Sequence, residues 1–153
     1  MSKLISSLQV YDNIAIGSLV IDKVIQSLCQ ISLAKSILIL PLLLHDPVIK
    51  RLSTAAKYRS IDEFLIKERI NLGDINLRTD NMLSLSVNCI SVLQDLKRIE
   101  QRGNILVSLT KLEEPVRMDI GQRATKILKI IEKSNFLFNE DDTSTYLKFN
   151  ITL

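Results

Sequence analysis

The chain has a single histidine, His45, and Asp46 follows it directly. A histidine oriented by a carboxylate is the core of a general base, provided a nucleophile lies within its reach. The sequence supplies no recognisable nucleophile. It has no G-x-S-x-G elbow, no phosphate-cradling loop, no G-x-G-x-x-G turn and no H-E-x-x-H helix. The acidic pairs Asp62-Glu63, Glu113-Glu114 and Asp141-Asp142 are contiguous rather than spaced to converge. They read as helix caps and solvated turns. Cys29 and Cys89 form no C-x-x-C pair and no metal spacing. Set in apolar patterns, they read as two buried, reduced thiols. A non-catalytic chain is therefore expected, with no cofactor, no metal and no small-molecule substrate.

Phosphate binding is the other chemistry the residue types allow. Lys97, Arg98 and Arg102 flank a candidate hairpin, and Arg123, Lys126, Lys129 and Lys133 share one face of a late helix. Such a stripe can follow a nucleic-acid backbone. The formal net charge of +3 is too mild to announce that function, and a basic stripe opposite an apolar face is commonly just a solvated surface. The long central helix turns Ser84, Asn88, Ser91 and Asp95 outward, with no arginine to read guanine.

The elements that position these residues follow from composition. The chain has 153 residues, enough for one domain with a substantial core, and 46% of them are hydrophobic. Only 5% are aromatic, and four glycines and three prolines favour helices over a turn-rich sandwich. A mean hydropathy of +0.19 suggests that part of the surface is covered by a partner. "MSKLISSLQVYDN" lacks the apolar core of a secretory signal, so a cytoplasmic protein is expected. The run "ILILPLLLHDP" (37–47) is too short to span a membrane, and Asp22-Lys23 interrupts the earlier apolar segment.

A first helix is expected over about Asp12 to Cys29. A second should follow the N-cap Ser32 and be kinked or ended by Pro41, with a short parallel-type strand at "ILIL" as the main alternative. Asp46-Pro47 opens a third, with Asp46 as its cap. Ser60 and Glu63 form a capping box for a fourth, and Gly73 lies past its end. A long helix from Asp80 or Asn81 to Leu96 should bury Met82, Leu85, Cys89, Val92, Leu93 and Leu96, with Leu83, Val87 and Ile90 as a second strip. The period then changes. "RIEQRGNILVSL" alternates about Gly103-Asn104 as a hairpin. A helix running into a hairpin resembles the recognition helix and wing of a winged-helix domain. In the last clear helix Ala124, Ile127, Leu128 and Ile131 face inward. The tail "DDTSTYLKFNITL" reads either as a strand or as a helix capped by Asp142.

The block "ILILPLLLHDPVIKRL" carries a resemblance. With its L-P-L-x-L-H pattern and Arg51, followed by "GNILVSL" and "ATKILKI", the chain resembles the middle component of three-component ABC-type, Lamassu-like, anti-phage defence systems. That pattern places a glycine and an aromatic residue in the C-terminal helix. This sequence has Leu128-Lys129-Ile130-Ile131 there, so that end is expected to pack differently. The resemblance implies a non-catalytic adaptor between an SMC-like ABC ATPase and a nuclease effector.

The expected architecture is mainly α, a single helical domain (1–153) with a winged-helix-like β-hairpin. Its N-terminal helices occupy 12–77, and the winged-helix-like part and C-terminal helix occupy 80–153. Pro41, Leu42, Leu44, His45 and Arg51 are the candidate partner surface. Plain burial of the leucines is an equal alternative, and polar groups beside an apolar run are the better interface candidates. A winged-helix DNA-binding regulator is the second functional reading, with DNA contacts at Lys97, Arg98, Arg102, Arg123, Lys126, Lys129 and Lys133.

Overall fold

A computed structural model describes residues 2–68, 72–110 and 119–152, with side chains from residue 13 onward. The chain is mainly helical, with one small sheet. Helix α1 spans Ser2–Leu28, strand β1 Gln30–Ser32, α2 Leu33–Ser36, α3 Ile39–Leu43, α4 Asp46–Leu52 and α5 Ile61–Glu68. They are followed by α6 (Ile75–Asp95), β2 (Ile99–Arg102), β3 (Ile105–Ser108) and α7 (Gln122–Ser134). A 3-10 turn (Asn135–Phe138) and α8 (Asp142–Phe149) complete the described elements.

The apolar run at 37–44 forms the centre of the core. Every residue of α3 is buried. Pro41 explains why residues 33–43 form two short helices rather than one. It has no N–H to bond the Ile37 carbonyl, and its ring would clash there. The chain turns at Ile37-Leu38, and α3 restarts with Pro41 in its first turn. The Ile37 carbonyl instead accepts a long hydrogen bond from Ser86 Oγ, at 3.5 Å. Arg78 Nε, also on α6, donates to the Pro41 carbonyl within α3 at 3.3 Å.

Helix α1 crosses this centre at Gly17. A Cβ there would lie 2.8 Å from Cys89 Sγ and 3.2 Å from a Leu40 methyl, so only glycine lets α1, α3 and α6 approach this closely. The α1 residues Val20, Ile21, Val24 and Ile25 join Leu40, Leu93, Leu106 and Ile127 in one apolar cluster. Phe64, Tyr58 and Phe136 stack at its edge, with ring centroids 5.0–5.6 Å apart.

The hairpin has the expected two-residue loop. Arg102 pairs with Ile105, and Gly103 takes φ +63° at the first loop position. The sheet also contains β1, which pairs antiparallel with β3 in the order β1-β3-β2. The three residues of β1 are too few to show an alternation in sequence.

Several expectations need correction. Helix α6 begins at Ile75, with Asp74 rather than Asp80 at its N-cap. Leu96 is the residue after the helix and is exposed, and Val87 faces solvent. Residue His45, not Asp46, occupies the N-cap of α4, which places Asp46 in the first turn. Ser60 Oγ accepts from Glu63 N as expected, but Glu63 Oε2 accepts from Arg59 N, one residue further back than a capping box requires. Cys29 is exposed and left-handed at φ +65°, not buried. The tail is helical, and its cap is Asp141, which accepts from Ser144 N at 2.9 Å. Glu113-Glu114 lies outside the described residues.

Candidate functional site

The segment nominated as a partner surface lies mostly inside the protein. Pro41 and Leu42 are buried, so the chain folded by itself places both in its core. Leu44 is half-buried, and its carbonyl accepts from Arg123 Nη2 at 2.8 Å. His45 is buried, and its Nε2 lies 3.9 Å from Asp74 Oδ1, so the nearby carboxylate is Asp74 rather than its neighbour Asp46. Arg51 Nε donates to Tyr58 Oη and to Glu68 Oε1, both at 2.7 Å, and Tyr58 Oη donates to the same carboxylate oxygen at 3.0 Å. Arg51 thus ties α4 to α5 over the buried Glu68.

The hairpin cations are also engaged. Arg98 Nε and Nη2 donate to Asp22 Oδ2 at 3.1 and 2.8 Å. Gln26 Nε2 joins that oxygen at 3.3 Å and Thr110 Oγ1 at 2.8 Å. This is a mostly buried ion pair fastening the hairpin to α1. Arg102 pairs with Glu100 on its own strand, at 2.6 Å. Lys97 is exposed at the tight turn after α6, with φ +55°.

The late-helix stripe comes closest to forming a site. Ala124, Ile127, Ile130 and Ile131 bury the inner face of α7, which leaves Arg123, Lys126, Lys129 and Lys133 exposed. The stripe faces α4, and a groove of about 730 Å³ lies between the two helices. Arg123 binds the Leu44 carbonyl and pairs with Asp46 Oδ1 at 3.1 Å, at the start of α4. Lys133 Nζ donates to the carbonyls of Leu52 (3.3 Å) and Thr54 (2.9 Å), at its end. A cation on those outward-pointing carbonyls stabilises a helix C-terminus. Ten residues separate the two clamps on α7, and about as many separate their partners around α4. The helices therefore run alongside each other in the same direction.

Lys126 and Lys129 project from α7 between the clamps, and α4 adds Lys50. None of the three makes a hydrogen bond or ion pair among the described residues. Asp46 is the one carboxylate among the lining residues. Beneath them Ile49, Leu52 and Ile130 are 6%, 0% and 2% exposed, so the groove floor is closed. Sequence reasoning found the α7 stripe from its period. It missed Lys50, because the pairing of α4 with α7 spans more than seventy residues of chain and has no local signal.

Apolar side chains are exposed elsewhere. Ile66 on α5 and Leu147 on α8 are 81% and 75% exposed, and α5 packs against α8. A second groove there is lined by Leu65, Ile66, Leu72, Ile75 and Phe149. No group of three or more potential metal ligands occurs among the described residues. No helix among them is long and apolar enough to cross a membrane.

A family model described as "ABC-three component (ABC-3C) system Middle Component 3" matches residues 1–149. No curated protein and no solved structure matches the chain.

Proposed function

The chain belongs to the Middle Component 3 family of ABC-three component systems, and on that premise we propose that it is the non-catalytic adaptor of a cytoplasmic anti-phage complex. Its partners are an SMC-like ABC ATPase and a nuclease effector, as the Lamassu-like resemblance implies. ATP turnover and cutting belong to those partners. This chain holds them together and restrains the effector until the ATPase engages foreign DNA. Match of the family model over 149 of 153 residues carries the reading. The exposed Ile66 and Leu147 support it, because large apolar side chains left in water are the surface that an assembled subunit covers.

The regulator reading has weaker support. The course of α6 into a hairpin backed by β1 favours a winged-helix-like part. Yet Arg98 and Arg102 are held by Asp22 and Glu100, and the outward face of α6 is Ser84, Asn88, Ser91 and Asp95. That face carries no arginine or lysine to read guanine.

Tagging the chain in its native host and identifying what co-purifies tests the adaptor reading. Recovery of both an SMC-like ATPase and a nuclease-like protein is expected. Recovery of neither, under conditions where the tagged chain is soluble and folded, contradicts it.

A further inference from the structure

The groove between α4 and α7 has a chemistry that the adaptor role does not require. We propose that it binds a nucleic-acid backbone through phosphate contacts, without reading sequence. This stands whichever subunits flank the chain.

Three observations carry it. First, Lys50, Lys126 and Lys129 converge on one groove with no partner for their charge among the described residues, and the lone carboxylate, Asp46, is already paired with Arg123. Second, the lining presents Lys50, Lys126, Lys129, Lys133 and Arg123 and holds no aromatic residue or methionine. Protein–protein interfaces are depleted in lysine and enriched in aromatic residues and methionine at their cores, and this lining is the reverse. A lysine-rich lining without aromatic anchors is the composition of a phosphate-contacting surface. Third, the clamps at Arg123 and Lys133 fix the groove walls at both ends. The ten-residue step from Arg123 to Lys133 rises about 15 Å, roughly the rise of four nucleotides of one duplex strand. The hairpin cations do not compete for this role, since Arg98 and Arg102 face Asp22 and Glu100.

The test is fluorescence anisotropy of the purified full chain with two short labelled duplexes of unrelated sequence, titrated at several salt concentrations. Both duplexes should bind alike. Three released counterions predict a log–log salt slope of about −3. The double variant Lys126→Glu/Lys129→Glu should lose about tenfold or more in affinity, and its slope should fall towards about −1. Lys126→Arg/Lys129→Arg should keep binding, and Arg102→Glu should leave it unchanged. Circular dichroism of each variant checks that it is folded. Unchanged affinity and slope in the folded double variant would overturn the proposal. So would a double variant that still binds DNA but no longer recovers a partner protein, which would make the groove a protein-docking surface.

Discussion

At the residue scale, two carboxylates do different work. Asp141 caps α8, and hydrogen bonds from the Ser144 side chain and backbone hold its pKa below the ordinary aspartate range. A carboxylate whose pKa is lowered by folding contributes stability above its unfolded pKa, near 3.9, and loses it as pH falls through the lower folded value. Asp141→Ala should therefore lower the melting temperature at neutral pH. The gap to the unaltered chain should close in strong acid, as thermal melts over a pH series will show. Asp22 is instead buried, with Arg98 across from it. Arg98→Met leaves that charge uncompensated and should cost about 3 kcal/mol in chemical denaturation. The double change Asp22→Asn/Arg98→Met should recover much of the loss, since the buried charge goes with its partner. The sequence shows Arg98 only as a cation near a hairpin. Its partner is 76 residues away, so nothing local distinguishes an ion-paired arginine from a free one.

The helices and strands divide by how locally they are encoded. The hairpin is legible because the period switches from helical to alternating after Leu96, with Gly103-Asn104 as the turn. The break at Ile37-Leu38 is legible because Pro41 cannot bond back to Ile37. Neither the start of α1 at Ser2 nor β1 is legible, because "SKLISSLQV" has no cap and "QIS" owes its strand form to pairing with β3. Gly17 marks a helix crossing that no pattern announces. Gly17→Ala places a methyl 2.8 Å from Cys89 Sγ, and overpacking at this junction should cost about 1–3 kcal/mol. Cys29, left-handed between α1 and β1, is the converse case. Cys29→Gly should stabilise the chain by about 1 kcal/mol, read as a shift in denaturant midpoint at unchanged slope.

For the whole molecule, burial of the 37–44 run moves the search for a partner surface elsewhere. The sequence could not separate an apolar interface from an apolar core, since both select the same side chains. The two most exposed large apolar side chains among the described residues, Ile66 and Leu147, lie on α5 and α8, while Leu77 and Leu96 are exposed on and just after α6. Ile66→Asp and Leu147→Asp should reduce recovery of a partner subunit while leaving the melting temperature close to that of the unaltered chain, because neither side chain supports the core. The groove between α4 and α7 is a separate face with a different ligand chemistry, so variants there should leave subunit recovery intact. The most direct measurement of the adaptor role is co-expression of the system's ATPase and effector, with the tag on the effector, in the presence and absence of this chain. The account predicts that the ATPase is recovered with the effector only when the chain is present. Equal recovery of the ATPase without it would contradict the bridging role.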